Sequence, residues 1–579
     1  MALEPFPNLV TMFFARAAEH GDAPLLFWKD DGAWQSLSWA ETARRVAALA
    51  EALRGLGLKR CDRVLLVSEN RPEWAIADLA IMAAGCITVP AYTSNTIGDH
   101  AHVLNDSGAR AAIVSTASLA KNLLPALARS SQCEMVITIE PLQRERIGAV
   151  RIHQWDKLVA DQPGDVAAAR AQADFTREDI ACIIYTSGTG GSPRGVRQHH
   201  GAILHNCAGA GDVIQGDFTT ELERFLSLLP LSHAYEHTAG FHFPISLGGQ
   251  IHYAESIEKL ASNMEEVGPT IMVVVPRLFE LLRGRILKQM EKQGKAAQWL
   301  LAQALALDAK PHKSIADKPL DLLLDATVRR KVRKRFGGRI KALVSGGAPL
   351  NPEVGRFFRA LGITLLQGYG QTECGPLISV NRPRAGISME GVGPPVLGTE
   401  VRIADDGEIL VRGENVMHGY WRNDTESARV LVDAWLHTGD VGHLDEAGRI
   451  VITDRKKDLI VNDKGDNVSP QRVEGMLTLE PEIAQAMVVG DRRPHLVGLI
   501  VPDKEWQATL PAGTDLAKAL MAAVDRVNGG LAVTEKVRRI IVADEPFTIE
   551  NGQLTPSLKV RRHVLREHYG PRLDALYGR

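Results

Sequence analysis

From Asp62 onward, short β-branched runs alternate with helical stretches, and this rhythm restricts the fold more than any other feature of the chain. VLLVS (64–68), an apolar helix near 74–84, AAIVS (111–115) and MVITIE (135–140) set the pattern, and IACIIYTS (180–187), MVVVP (272–276) and ALVSGGAPL (342–350) continue it. Strands separated by helices cannot pair through tight hairpins, so the pattern predicts an α/β fold with largely parallel sheets. After about Gly375 the texture changes, and DDGEILVRG (405–413) and DEAGRIVITDR (445–455) read as hairpins of a β-rich subdomain. The charged stretch DRKKD (454–458) then precedes a tail with its own strands, GLIVPD (498–503) and VRRIIVAD (537–544), around a helix near 516–527. That tail, about 120 residues, is enough for a separate small α+β domain. The whole chain of 579 residues holds several packed cores at roughly 150 residues per domain.

Charge and cysteine content narrow the function classes. Lys and Arg number 67 against 69 Asp and Glu, a formal charge of -2, so the overall balance gives no reason to expect nucleic-acid binding, and an anionic ligand must be met by local cations. The 6 cysteines contain no CxxC pair, which argues against a disulfide framework or a cysteine zinc site and for a reducing cytoplasm. The N-terminal stretch, with Glu4 and two prolines, does not read as a signal peptide, and the most apolar longer stretch (74–92) is broken by Asp78, Gly85 and Pro90, which suits a buried helix and strand rather than a bilayer span.

The segment IIYTSGTGGSPRGVRQHH (183–200) runs an apolar strand into a loop of Thr186, Ser187, Gly188, Thr189, Gly190, Gly191, Ser192, Pro193, Arg194 and Gly195. Glycines allow backbone N–H groups to turn toward an anion, hydroxyls add donors and Arg194 supplies a forked charge, so the loop can cradle phosphates. It fits neither the GxxxxGK[ST] nor the GxGxxG template, and a plain surface turn is the other reading. GYGQTECG (368–375) follows the strand-like ITLLQ and sets Tyr369, Gly370, Thr372 and Glu373 at a strand end, where open α/β sheets bind ligands. There Tyr369 can stack on a base and Glu373 can hold magnesium. In WLHTGDVG (435–442) Asp440 suits either a ribose diol or a turn, and in NGQLTPSLKVRR (551–562) Lys559, taken alone, is a solvated lysine.

In this order, YTSGTGGSPRGV, LPLSHAYEH, VSGGAPL, GYGQTECGP, GEILVRG, WLHTGD, DRKKDLI and LTPSLKVRR resemble the signatures of the adenylate-forming superfamily, which includes acyl-CoA synthetases, firefly luciferase and nonribosomal-peptide adenylation domains. The resemblance implies a large N-terminal AMP-binding and acyl-binding domain (1–456) and a small mobile C-terminal domain (457–579) hinged at Lys457. It implies that a carboxylate attacks the α-phosphate of ATP, with Lys559 gathering the anions, Thr186 and Glu373 engaging magnesium and phosphates, and the loop from Thr186 to Gly195 gripping the triphosphate. Gly347, Ala348, Pro349 and Tyr369 would line adenine, and Asp440 with Arg455 the ribose. Turning of the small domain would then withdraw Lys559 and admit the thiol of CoA, beside Gly465. Three positions depart from the family pattern: Gly190 replaces a threonine and Arg194 a lysine, and Lys464 stands for the first of a glycine pair after the hinge.

VPRLFE (275–280), the helical insertion from about 285 to 334 and LPLSHAYEH look like the long-chain fatty acyl-CoA synthetase branch, with an apolar acyl tunnel near His233 and Tyr235. The expected substrates are a fatty acid, ATP and CoA with Mg2+. The basic run RRKVRKR (329–335) can touch anionic lipid at the inner face of a membrane or form a solvated helix face. Three rival readings stand beside this one: a fatty acyl-AMP ligase or adenylation enzyme serving a carrier protein; a zinc peptidase, since His233, Glu236 and His237 match HxxEH; and a noncatalytic nucleotide-binding relative, against which the retention of Lys559, Glu373 and Asp440 counts.

Overall fold

The computed structural model describes residues 5–186, 193–310, 312, 314–464, 466–511, 513–555 and 559–578. Two eight-stranded sheets form the large domain. The first runs in the order 377–380, 365–370, 342–345, 271–274, 224–227, 250–253, 24–30, 33–38, and the second in the order 194–199, 180–186, 87–91, 63–67, 111–114, 135–138, 150–154, 146–147. In each sheet six central strands are parallel and one antiparallel strand closes each edge. The alternating pattern after Asp62 produces this result: each β-branched run pairs in parallel because a helical crossover separates it from the next.

The helices between the sheets explain the most apolar stretch of the chain. Helix Pro72–Ala83 starts with proline at its first turn and buries every residue except Glu73, and with helices Leu9–His20 and Trp39–Gly55 it builds a core around Phe13, Trp39 and Trp74 that reaches both sheets. A fully buried aromatic or leucine there is worth about 1.5–3 kcal/mol relative to exposure. The strands Pro24–Asp30 and Ala33–Ser38 were not anticipated. They complete the sheet whose other members come from 224–380, and that pairing leaves no local trace in sequence.

The expected hairpins form a five-stranded antiparallel sheet of 400–403, 408–412, 431–432, 435–444 and 450–455. The C-terminal region carries strands 483–489, 496–502 and 537–542 with helices Pro470–Leu477, Leu516–Asn528 and Arg562–Ala575, and its core is drawn from residues 460–573. The helical insertion comprises Pro276–Lys292, Lys295–Asp308, Lys318–Leu324 and Arg330–Arg335, with a π turn at 325–329.

The basic run 329–335 is a solvated helix face only in part, with Arg330, Lys331, Lys334 and Arg335 exposed. Arg329 is buried, donating to the carbonyl of Ala360 at 2.9 Å and to Asp321 at 2.7 Å, and Arg333 makes a two-pronged pair with Asp325 at 2.7 and 3.0 Å. Arg329 and Arg333 therefore tie the insertion together. Among the described residues no helix is long and apolar enough to cross a membrane.

Candidate functional site

Strands 180–186, 271–274, 342–345 and 365–370 end at one cavity of about 1890 Å3, the position at which parallel α/β sheets take ligands. Thr186, Arg194, His233, Tyr235, Gly347, Ala348, Pro349, Tyr369, Gly370, Thr372, Glu373, Asp440, Arg455, Lys457 and Lys559 all line it, so residues as far apart in sequence as Thr186 and Lys559 share one cavity. Ser187, Gly188, Thr189, Gly190, Gly191, Ser192 and Gly465 lie outside the described residues.

Asp440 is the most heavily bonded of these groups. Its strand pairs with the strand of Arg455, and Arg455 Nε donates to Asp440 Oδ1 at 2.9 Å. The Tyr369 hydroxyl and Gln371 Nε2 both donate to Oδ2, at 2.7 and 2.6 Å. Burial and the adjacent Asp440 charge push the Tyr369 phenol well above its usual range, so it stays a donor. Gln371 was missed although it stands inside GYGQTECG, and Glu408 was missed as well: it accepts from Gly439 N at 2.8 Å and pairs with Lys456 at 2.7 Å, fixing the turn before Asp440.

Glu373 accepts from the Tyr420 hydroxyl at 2.8 Å. Arg194 lies over the Tyr420 ring, 4.4 Å from its centroid, and is paired with Glu426, whose carboxyl is held at about 2 by the hydrogen bond from Arg429 and by Arg194. A planar guanidinium can stack on the ring and meet the carboxylate together, which an ammonium does less well, and this accounts for arginine at this position in physical terms.

Lys559 comes from the C-terminal domain yet stands in the same cavity. Thr555 Oγ1 accepts from its backbone N–H at 3.0 Å, and Thr555 N–H donates to the Lys559 carbonyl at 2.8 Å. Burial first and the Arg455 charge second push its ammonium down to about 8, against the opposing pull of Asp440 and Glu373. Lys559 is half-buried, not the solvated lysine that its segment alone suggests. Lys457 is exposed in the turn that follows strand Ile450–Arg455. Lys464 lies in a turn whose Asn462 Oδ1 accepts from Lys464 N at 2.9 Å. Arg562, three residues beyond Lys559, is paired with Glu474 and donates to the carbonyl of Val488 at 3.2 Å, anchoring that segment to its own domain.

The other end of the cavity is apolar, walled by Val213, Ile214, Phe225, Phe243, Ile271 and Val273. His233 caps the short helix Ala234–Glu236, accepting from Tyr235 N at 3.1 Å through Nδ1, and burial together with the Lys559 charge pushes its imidazole down to about 4. The Tyr235 ring lies on Gly346, where a β-carbon would come within 2.8 Å of Cζ, and its hydroxyl donates to the carbonyl of Val344 at 2.9 Å.

The HxxEH reading is overturned by this arrangement. A π turn at His237–His242 follows the three-residue helix, and His237 Nε2 meets Asp78 Oδ2 at 3.1 Å, deep in the core, while His233 faces the cavity. Among the described residues, the cluster that gathers His237 holds Asp78 and His242, not His233. Glu236 accepts from Ser227 Oγ at 2.6 Å, and burial raises its carboxyl to about 8.

The fold and this cavity define an α/β protein that takes its ligand where parallel strands end, beneath a smaller C-terminal domain. A model of the AMP-binding enzyme family matches residues 13–421, and one of the AMP-binding enzyme C-terminal domain matches residues 457–579. The chain belongs to the AMP-binding enzyme family. Similar chains include a long-chain-fatty-acid–CoA ligase of Mycobacterium bovis, 33% identical over 99% of this chain and 97% of that one, and the human long-chain-fatty-acid–CoA ligase 6, 30% identical over 96% of this chain and 85% of that one. The adenylation domain of a Mycobacterium chelonae carboxylate reductase shares the fold with a TM-score of 0.80 at 21% identity, covering 100% of this chain and 92% of that one.

Proposed function

We propose that this protein activates a long-chain fatty acid with ATP and transfers it to CoA as an AMP-forming acid–thiol ligase. One carboxylate oxygen attacks the α-phosphorus, the bond to the bridging oxygen breaks and pyrophosphate leaves. The CoA sulfur then attacks the acyl carbon, AMP departs and the thiol proton is released. The observation that carries this reading is the continuity of one cavity from the charged cluster of Lys559, Arg455, Asp440 and Glu373 to the apolar wall of Val213, Ile214, Phe225 and Phe243. The charged end suits a reaction that brings two anions together, and the apolar end suits an alkyl chain.

Within this reading Lys559 steadies the carboxylate and the α-phosphate, Asp440 and Arg455 hold the ribose, and Gly347, Ala348, Pro349, Tyr369, Gly370 and Thr372 surround the nucleotide. Arg194 and the loop 186–192 take the phosphates. Glu373 and Thr186, both on the cavity wall, offer hard oxygen donors of the kind magnesium prefers, and the ion would neutralise phosphate charge there. His233 and Tyr235 sit where the acyl group enters its pocket. The domain boundary falls at 456/457, with Lys457 as the hinge and the loop at Gly465 meeting CoA. The reaction takes place in the cytoplasm, with peripheral contact to an anionic membrane.

The test is formation of AMP and thioester from palmitate, ATP and magnesium, with and without CoA, beside short-chain and aromatic acids. CoA-dependent palmitoyl thioester is the expected result. Adenylate without CoA thioester would favour a carrier-protein acceptor, a reading suggested by Lys464 in place of a glycine; no adenylate from palmitate would overturn the proposal.

A further inference from the structure

Residues 417–421 form a strap between two ligand-facing elements of the charged end. Met417 N donates to the carbonyl of Glu373 at 2.9 Å, and Trp421 N donates to the carbonyl of Gly195 at 2.7 Å. One end of the strap is therefore hydrogen-bonded to the GYGQTECG segment and the other to the strand that begins at Arg194. Between these anchors Tyr420 is only 3% exposed, and its N–H donates to Ser427 Oγ at 2.8 Å.

Tyr420 meets both elements with different parts of its side chain. The hydroxyl donates to Glu373 Oε1 at 2.8 Å, and burial together with the Glu373 charge pushes the phenol well up, so it stays a donor. The ring carries the Arg194 guanidinium 4.4 Å from its centroid. Glu426 pairs with the same guanidinium, and Arg429 grips Glu426 in turn at 2.7 and 2.6 Å. Arg194 and Arg429 both line the cavity, so one carboxylate between two cations leaves surplus positive charge for an anion. Packing alone asks only for an apolar ring at position 420. A long charged side chain, in contrast, loses rotamer freedom when it grips a ligand unless its own protein already holds it.

We propose that Tyr420 and Glu426 are positioning residues for nucleotide binding: the Tyr420 ring and the Glu426 carboxylate hold Arg194 for the phosphates, while the Tyr420 hydroxyl holds Glu373 for magnesium. This role rests on the ATP-binding part of the reading above and not on the identity of the acid. The phosphate cation and the metal carboxylate are then preorganised as one unit through a single side chain.

Calorimetric titration of the full-length protein with ATP, at a series of magnesium concentrations and without any acid, tests the proposal. E426Q is expected to weaken ATP binding roughly tenfold at saturating magnesium, and R194A to weaken it at least as much. The double variant R194A/E426Q is expected to bind as R194A does, within about twofold, because Glu426 acts through Arg194. Y420F keeps the ring, so high magnesium is expected to restore its ATP affinity, with roughly tenfold more of the ion needed for half the effect. Y420L loses the ring as well, and magnesium is not expected to restore it. Losses that add in R194A/E426Q, or a magnesium requirement of Y420F equal to that of wild type, overturn the proposal. The Glu426 side chain is 21% exposed, so its cycle decides even where the buried Y420L does not fold. Wild-type protein that binds no MgATP overturns both this role and the nucleotide reading, whereas ATP binding without palmitoyl thioester overturns the fatty-acid reading alone.

Discussion

Arg455 and Asp440 face each other across the antiparallel strands Trp435–Leu444 and Ile450–Arg455, and their 2.9 Å contact orders the centre of the cavity. The same carboxylate takes donors from Tyr369 and Gln371, so three side chains from two sheets are fixed by one buried anion. Replacing it leaves a guanidinium, a phenol and an amide without their acceptor. D440A is expected to lower AMP formation by roughly 100-fold or more and to destabilise the fold by about 1–3 kcal/mol, because the buried Tyr369 hydroxyl loses its acceptor while Arg455, whose side chain is 43% exposed, can turn to water. Pyrophosphate exchange and thermal unfolding measure the two effects.

Lys559 sets a pH limit. Its ammonium is pushed down to about 8 by burial and by Arg455, from 10.5 for an ordinary lysine. Below about 8 it is charged, and above that it loses the proton the proposed role requires, so kcat/KM for ATP is expected to fall about tenfold per pH unit on the alkaline side. Between about 8 and 10.5 the unfolded chain binds more protons at this site than the folded one, so this group's destabilising effect is full below 8 and is relieved as pH rises. In K559R the charge persists past pH 12 and the alkaline limb disappears; a limb that stays in place shows that another group controls it.

The packing of Tyr235 on Gly346 is a steric test of the acyl end. In G346A the new methyl group meets the ring, whose nearest atom stands 2.8 Å from the β-carbon position. The ring must move off the carbonyl of Val344, at a cost of about 1–3 kcal/mol, and kcat/KM for palmitate is expected to fall roughly tenfold. The effect should largely vanish when Tyr235 is already alanine, as a double-mutant cycle measures. Additive losses would show that Gly346 acts without the ring.

What could be read from the sequence was what is encoded locally. Strands such as Arg63–Val67 and Ala342–Ser345, the helix Pro72–Ala83 and the hairpins after Gly375 each follow from periodicity or turn residues within a few positions. The cavity residues were found because they stand in compact motifs. Their partners were not: Tyr420 reaches Glu373 across 47 residues and Glu426 meets Arg194 across 232, separations at which only the folded sheets bring side chains together. For the same reason RRKVRKR read as surface charge: Asp321 and Asp325 lie one helical hand-span upstream, eight residues before Arg329 and Arg333, and only the π turn at 325–329 aligns them.

Glu236 gives the chain a carboxyl that is neutral at pH 7. Burial lifts it to about 8, and Ser227 is its hydrogen-bond donor at one oxygen. A carboxyl whose folded pKa lies above its unfolded value stabilises the fold fully below about 4.5 and loses that contribution as pH rises to about 8, because ionisation then proceeds against a buried, apolar surround. E236Q keeps the shape and both polar atoms but cannot ionise. Its stability is expected to stay within about 1 kcal/mol of wild type at pH 5, to exceed wild type increasingly as pH rises toward 8 and to keep a constant advantage above that, as thermal melts across the pH range measure. Parallel curves for the two proteins from pH 5 to 9 would place the ionisation of Glu236 outside that window.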